Sequence, residues 1–155
     1  MNLPIPANAR DADWKHAMEE IVIPALRAFR PDLVVVAAGF DAMGGERPYG
    51  NTKLTQYWYG WCAASLQELG LPLVLNLEGG YTPGNVVAGV EQVILALKGA
   101  KQGGEFLADM HRAHAKACGG GVPFAPRAAH VCRMAEATQT RKAAIQNQSF
   151  ALRIA

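Results

Sequence analysis

At 155 residues, half of them apolar, the chain is about one domain long and can bury a sizeable core. A formal charge of +2 with 18% charged residues gives no electrostatic basis for nucleic acid or a polybasic membrane contact, and no apolar run approaches the ~18 residues of a spanning helix. The three cysteines are odd in number and widely spaced, which makes no disulfide framework; together with an N-terminus that lacks signal-peptide features, this predicts a cytoplasmic location.

Residues 1–10 form a lead-in containing Pro and Asn. Asp11 is a candidate N-cap for a helix over 12–29, whose Ile21, Ala25 and Phe29 fall on one stripe. Pro24 lies inside that pattern and predicts a kink or a division. Arg30-Pro31 stops the helix. Residues 33–37 are apolar without alternation, which reads as a strand buried on both faces, the habit of parallel sheets. Residues 39–53 are a loop rich in Gly and Pro. Thr55 is the expected cap of a helix over 56–69, with Trp58, Trp61, Cys62 and Leu66 on one face. Gly70 and Pro72 end it.

A second apolar run, 73–77, is the next strand. Gly79-Gly80-Tyr81 predicts a tight turn into a helix over 85–97, with Val86, Val90 and Ile94 as its core stripe and Gly99 as its stop. Gly103-Gly104 reads as a linker, 105–117 as a helix, and Gly119-Gly120-Gly121 as its break. Residues 122–155 show little periodicity beyond a short helix near 131–144.

Strand, helix, strand, helix is a βαβ arrangement. Two parallel strands leave a bare edge on each side, so the chain reads as a piece of a larger α/β domain. In open α/β sheets ligands sit beyond the carboxyl ends of the strands, which places Asp41 and Tyr81 on one rim. On residue type alone, Asp41 is more often a turn or capping residue, and Tyr81 more often a packed loop residue. Glycines just before Tyr81 argue for close backbone approach to a ligand. His111, His114 and Cys118 spell H-x2-H-x3-C, with Cys132 as a fourth donor for zinc. A solvated helix face with a spare thiol is the better reading of that pattern.

Ala38-Gly-Phe-Asp-Ala42 and Leu77-Glu-Gly-Gly-Tyr81 resemble two signatures of the zinc-dependent histone deacetylase family, which includes acetylpolyamine amidohydrolases. Asn2-Leu-Pro-Ile-Pro6, the run from Pro24 to Leu33, and Leu54-Thr55 resemble flanking segments in the same order. The resemblance covers residues 1–100 and implies the C-terminal part of an arginase-deacetylase-like fold: a partial three-layer α/β/α sandwich with parallel strands. Residues 101–155 are then a helical or poorly ordered extension. It implies that Asp41 is one of three protein ligands to Zn2+, that Tyr81 donates to the oxyanion, and that Gly79 and Gly80 line the substrate channel. The family's D-x-H ligands and its His-His acid-base pair belong to a more N-terminal part. With those outside the chain, Asp41 alone cannot hold a catalytic zinc, and the chain is expected to be inactive by itself. The family's Asp-Pro after the GFD motif is replaced here by Gly45-Glu46-Arg47-Pro48.

Two functions follow as expectations. In the first, the chain is the C-terminal part of a deacetylase acting on acetyl-lysine or an acetylated amine, completed by a missing N-terminal half. In the second, it is a non-catalytic remnant that self-associates as a homodimer through its sheet edges.

Overall fold

The computed structural model describes residues 3–46, 50–127 and 152–154. Helix α1 spans Asp11–Ala17. Its capping residue is Arg10, not Asp11: the Arg10 amide donates to Asp13 Oδ2 at 2.9 Å, the reach-back half of a capping box. Asp11 is buried instead. Its two oxygens accept from the Thr55 amide at 2.8 Å and the Thr55 hydroxyl at 2.6 Å. Thr55 is still the residue that opens the next helix, but its side chain points away from that helix's amides.

The division expected at Pro24 is present and has a definite form. A π-helical turn at Met18–Val22 separates α1 from α2, Ile23–Phe29. Proline has no amide to bond four residues back. The turn before it widens, so that the Ile23 N–H reaches Met18 O, five residues back. Arg30, in the left-handed region at φ 54°, ends α2.

Strand β1 is Val34–Ala38 and β2 is Leu73–Leu77. They pair in parallel with Val34 opposite Leu73 and Ala38 opposite Leu77. Helix α3, Gln56–Gln67, lies between them in sequence and is buried from Trp58 through Leu66. A helix apolar on every side belongs in the middle of a core. Here α3 packs against two later helices, α4 (Pro83–Leu97) and α5 (Gly103–Cys118).

Helix α4 is Pro83–Leu97, with Gly89, Gln92, Val93 and Ala96 buried. This corrects the expected stripe. Val86 and Val90 are only partly buried, and Ile94 is exposed. The reason is steric: the Phe40 ring lies so close over Gly89 that a Cβ there would stand 2.2 Å from its Cδ1. The helix turns its small residues inward to accept that ring.

Helix α5 is Gly103–Cys118, so Gly103 and Gly104 are helical rather than a linker. Glu105 stabilises that start by accepting from the Gln102 amide at 2.8 Å. Phe106 and Met110 are fully buried in the main core cluster. The Phe106 ring occupies the space over Gly60 of α3, where a Cβ would meet it at 2.3 Å. The helix expected near 131–144 lies outside the described residues.

A third strand, β3, Leu152–Ile154, was not expected. It pairs parallel to β1, with Val36 opposite Leu152. The sheet order is therefore β2-β1-β3, and β1 has neighbours on both sides. The fold is α/β with a parallel sheet, and the described residues supply two layers of a three-layer sandwich. Val34, Val36 and Ala38 point into the helices and are buried. On the opposite face Val35 is 54% exposed and its register partner Val74 is 49% exposed.

Candidate functional site

The two motifs meet because the sheet ladder continues past the strand ends. The Glu78 amide donates to Ala38 O at 3.2 Å, and the Phe40 amide to Gly79 O at 2.8 Å. This fixes the chain after β1 against the chain after β2, and brings Asp41 onto Gly79. A Cβ on Gly79 would stand 2.6 Å from Asp41 Oδ2, and one on Gly39 2.7 Å from Asp41 Oδ1. Both positions must be glycine for the carboxylate to lie where it does. Gly80 has φ +121° and a Cβ there would crowd Val86, so backbone conformation and space both demand glycine.

Phe40 anchors the loop. It is buried, and its ring packs on Tyr59 with centroids 4.7 Å apart. Asp41 Oδ1 is buried and has no hydrogen-bond partner. A carboxylate oxygen taken from water without a donor is costly, and it suits an electrophile supplied from outside the described residues.

Tyr81 follows the two glycines with its side chain 59% exposed. Its backbone is held by a residue that the sequence reading did not single out. The Glu46 carboxylate is buried. It accepts from the Tyr81 amide at 3.1 Å, the Thr82 amide at 3.2 Å and Asn85 Nδ2 at 2.9 Å. Thr82 is the N-cap of α4 and makes no side-chain cap bond; Glu46, from another loop, instead holds the two amides just before the helix and the Asn85 side chain in its first turn, and sets a negative charge at the helix start. Burial pushes the Glu46 carboxyl up, but these donors outweigh it and hold the group below the usual carboxylate range. The only sequence signal was the altered Gly45-Glu46-Arg47-Pro48 stretch. Glu78, within the motif, is exposed, and its side chain accepts from Asn76 Nδ2 at 3.4 Å.

Asp109-Met110-His111 does spell D-x-H. It lies on α5, where residues two apart point to nearly opposite sides of the helix. Asp109 is paired with Lys101 and Arg112. Met110 between them is fully buried, and His111 stacks on Phe124 at 4.3 Å. These residues cannot converge on one ion. His114 Nδ1 is 3.9 Å from Cys118 Sγ, while Arg10 donates to that sulfur at 2.8 Å. Cys132 lies outside the described residues. Among the described residues no three His, Cys, Asp or Glu side chains are gathered to hold a metal. Asp41 thus fits as a single ligand and does not by itself make a zinc centre.

The geometry can be set beside known proteins. A sequence model described as the histone deacetylase domain matches residues 1–97. An uncharacterized protein of Methanocaldococcus jannaschii is 43% identical over 84 residues, covering 54% of this chain and 24% of that protein. The chloroplastic histone deacetylase 14 of Arabidopsis thaliana is 33% identical over 104 residues, 64% of this chain and 24% of that protein. The crystal structure of the HDA15 HD domain superposes with a TM-score of 0.68 at 28% identity, covering 90% of this chain and 34% of that one. The chain spans about a quarter of the length of these two relatives. With the matched domain reaching across both glycine motifs and the fold around them, the chain belongs to the histone deacetylase family.

Proposed function

We propose that this chain carries the C-terminal part of a zinc-dependent deacetylase site, one that cleaves acetyl-lysine or an acetylated amine once the rest of the domain is present. The observation that carries this reading is the buried, unpartnered Oδ1 of Asp41 set against Gly79, two residues before the exposed Tyr81. Asp41 offers one carboxylate oxygen to the metal. Bound zinc would polarise the acetyl carbonyl and activate water. Tyr81 donates its phenolic proton in a hydrogen bond to the developing oxyanion. Gly79 and Gly80 would line the substrate channel with backbone, the space over their Cα atoms being taken by Asp41 and by Val86 and Phe40. Zinc takes about three protein ligands at a catalytic site, so the remaining ligands and the acid-base groups come from outside the described residues.

The test uses the purified chain, and the chain fused to the part of the Methanocaldococcus relative outside the matched stretch. The chain alone should hold no stoichiometric zinc and should not turn over an acetyl-lysine reporter. In the fusion, Asp41→Ala should abolish both zinc and turnover. Tyr81→Phe should keep zinc and lower turnover by roughly 10²–10³-fold, the usual cost of losing an oxyanion donor. A fusion that binds zinc equally well without Asp41 would overturn the assignment.

A second reading is favoured by one observation: among the described residues the outer edge of β2 has no strand partner, and Val35 and Val74 on the sheet face beside it are exposed. In that reading the chain is a non-catalytic module that pairs with itself. A stable homodimer of the isolated chain, unchanged by Asp41→Ala, would support it.

A further inference from the structure

We propose that Cys118, with His114 and Arg10, is a thiol–disulfide exchange site for small disulfides that carry a carboxylate. It shares no residue with the Asp41 site and stands independently of the function proposed there. Three segments build it. Cys118 is the last residue of α5, His114 lies one turn earlier on the same face, and Arg10 is the residue that caps α1. Arg10 Nη1 donates to Cys118 Sγ at 2.8 Å. His114 Nδ1 is 3.9 Å from the same sulfur, and its Nε2 is 3.1 Å from Val122 O. A carbonyl oxygen only accepts, so Nε2 carries the proton of the neutral imidazole and Nδ1 turns a lone pair to the thiol. The Phe124 ring meets the His114 ring edge to face, with centroids 5.5 Å apart, and fixes its tilt. A nucleophile, a base beside it and a third group that orients the base are the parts that activate a thiol. Cys118 is partly exposed, within reach of a small reagent. Cys62 is the contrast: it is buried, and burial pushes its thiol up to about 12, which keeps it out of the exchange.

The substrate class follows from Arg10. A guanidinium presents five N–H donors in a flat fork, and one of them is on the sulfur. Among the described residues Arg10 joins no ion pair. Its other donors are open to a carboxylate on the incoming molecule, and its charge offsets the negative charge that develops on sulfur. In the exchange, His114 Nδ1 takes the proton from Cys118 Sγ. The sulfur's electron pair attacks one sulfur of the disulfide, and a new S–S bond to Cys118 forms as the old S–S bond breaks. The departing thiolate takes the proton back from His114 and leaves as a thiol. Cys118 is oxidised to a mixed disulfide, and one half of the reagent is reduced. The adduct displaces Arg10 from the sulfur, which loosens the tie between the end of α5 and the start of α1.

The test uses the full chain carrying Cys132→Ser, which leaves Cys62 and Cys118 as its thiols. Oxidised glutathione is the probe, and the adduct is followed by mass spectrometry at neutral pH. Cys118 should react about tenfold faster in the folded chain than in the same chain unfolded in urea. His114→Gln and Arg10→Met should each remove most of that advantage, and Arg10→Lys should restore part of it. The uncharged bis(hydroxyethyl) disulfide should be slowed less by Arg10→Met than glutathione is. Thermal midpoints identify any variant that fails to fold, and the folded-to-unfolded ratio of the parent chain then decides. A Cys118 that reacts no faster folded than unfolded, or at a rate indifferent to both His114→Gln and Arg10→Met, overturns the proposal. Equal slowing of the two disulfides by Arg10→Met overturns the carboxylate preference.

Discussion

Glu46 and Asp11 are two buried carboxylates with opposite consequences. Glu46 ties the Tyr81 loop to the start of α4 through three donors. Replacing it with Ala leaves two backbone amides without their acceptor. The expected loss is about 1–3 kcal/mol, read as a lower urea midpoint with faster exchange at the Tyr81 and Thr82 amides. Because its folded pKa is lowered, the stability Glu46 contributes is present above its unfolded pKa and is lost as pH falls through the folded one. Asp11 behaves the other way. Burial raises its pKa to about 6, although Thr55 and Arg10 pull it down. The folded state holds that proton more tightly than the unfolded state, so the contribution is complete below about pH 4 and disappears as pH rises through 6. A shift of two units corresponds to about 3 kcal/mol. Asp11→Asn should flatten the change in stability between pH 4 and 7, measured by urea unfolding at both ends. Asp41 and Tyr81 were legible as candidates because each ends an apolar run followed by glycine. Glu46 was not, because nothing in its neighbourhood shows that its partners lie on a loop across the rim.

At the scale of elements, ring-on-glycine contacts set how the helices sit. Gly60 receives Phe106, and Gly89 receives Phe40. Gly60→Ala forces a methyl into the Phe106 ring, and overpacking of this kind costs about 1–3 kcal/mol. The paired control is Gly104→Ala, at a helical position with nothing within 4 Å of the added Cβ. It should stabilise by up to about 1 kcal/mol. Both are read as thermal midpoints, with Phe106 contacts followed by NMR. These contacts explain which helical details the sequence hid. The periodicity of Val86, Val90 and Ile94 is real, but it falls at the margin of the core: Val86 and Val90 pack against it partly buried, and Ile94 is exposed. The inward face is chosen by Gly89, which carries no hydrophobic signal. The ends of β1 and β2 were visible to within a residue, because apolar runs bounded by Pro and Gly have little freedom. The π turn before Pro24 was visible only as a break.

For the molecule as a whole, the sequence showed that two strands could not stand alone, yet not what covers them. A three-residue strand has no pattern of its own, and Leu152–Ile154 was hidden in a stretch without periodicity. Removing residues 128–155 should open the β1 edge. The shortened chain is expected to associate in a concentration-dependent way, measured by light scattering, while the full chain stays monomeric under the same conditions. The parallel pairing of Val36 with Leu152 also has a consequence in time. The two strands come from opposite parts of the chain, so the central strand is made early and its second neighbour late. Pairings this distant in sequence form slowly. During synthesis β1 waits with one side open, a period in which chaperones or a neighbouring nascent chain compete for it. The order in which the ribosome delivers these segments thus helps decide which neighbour β1 acquires.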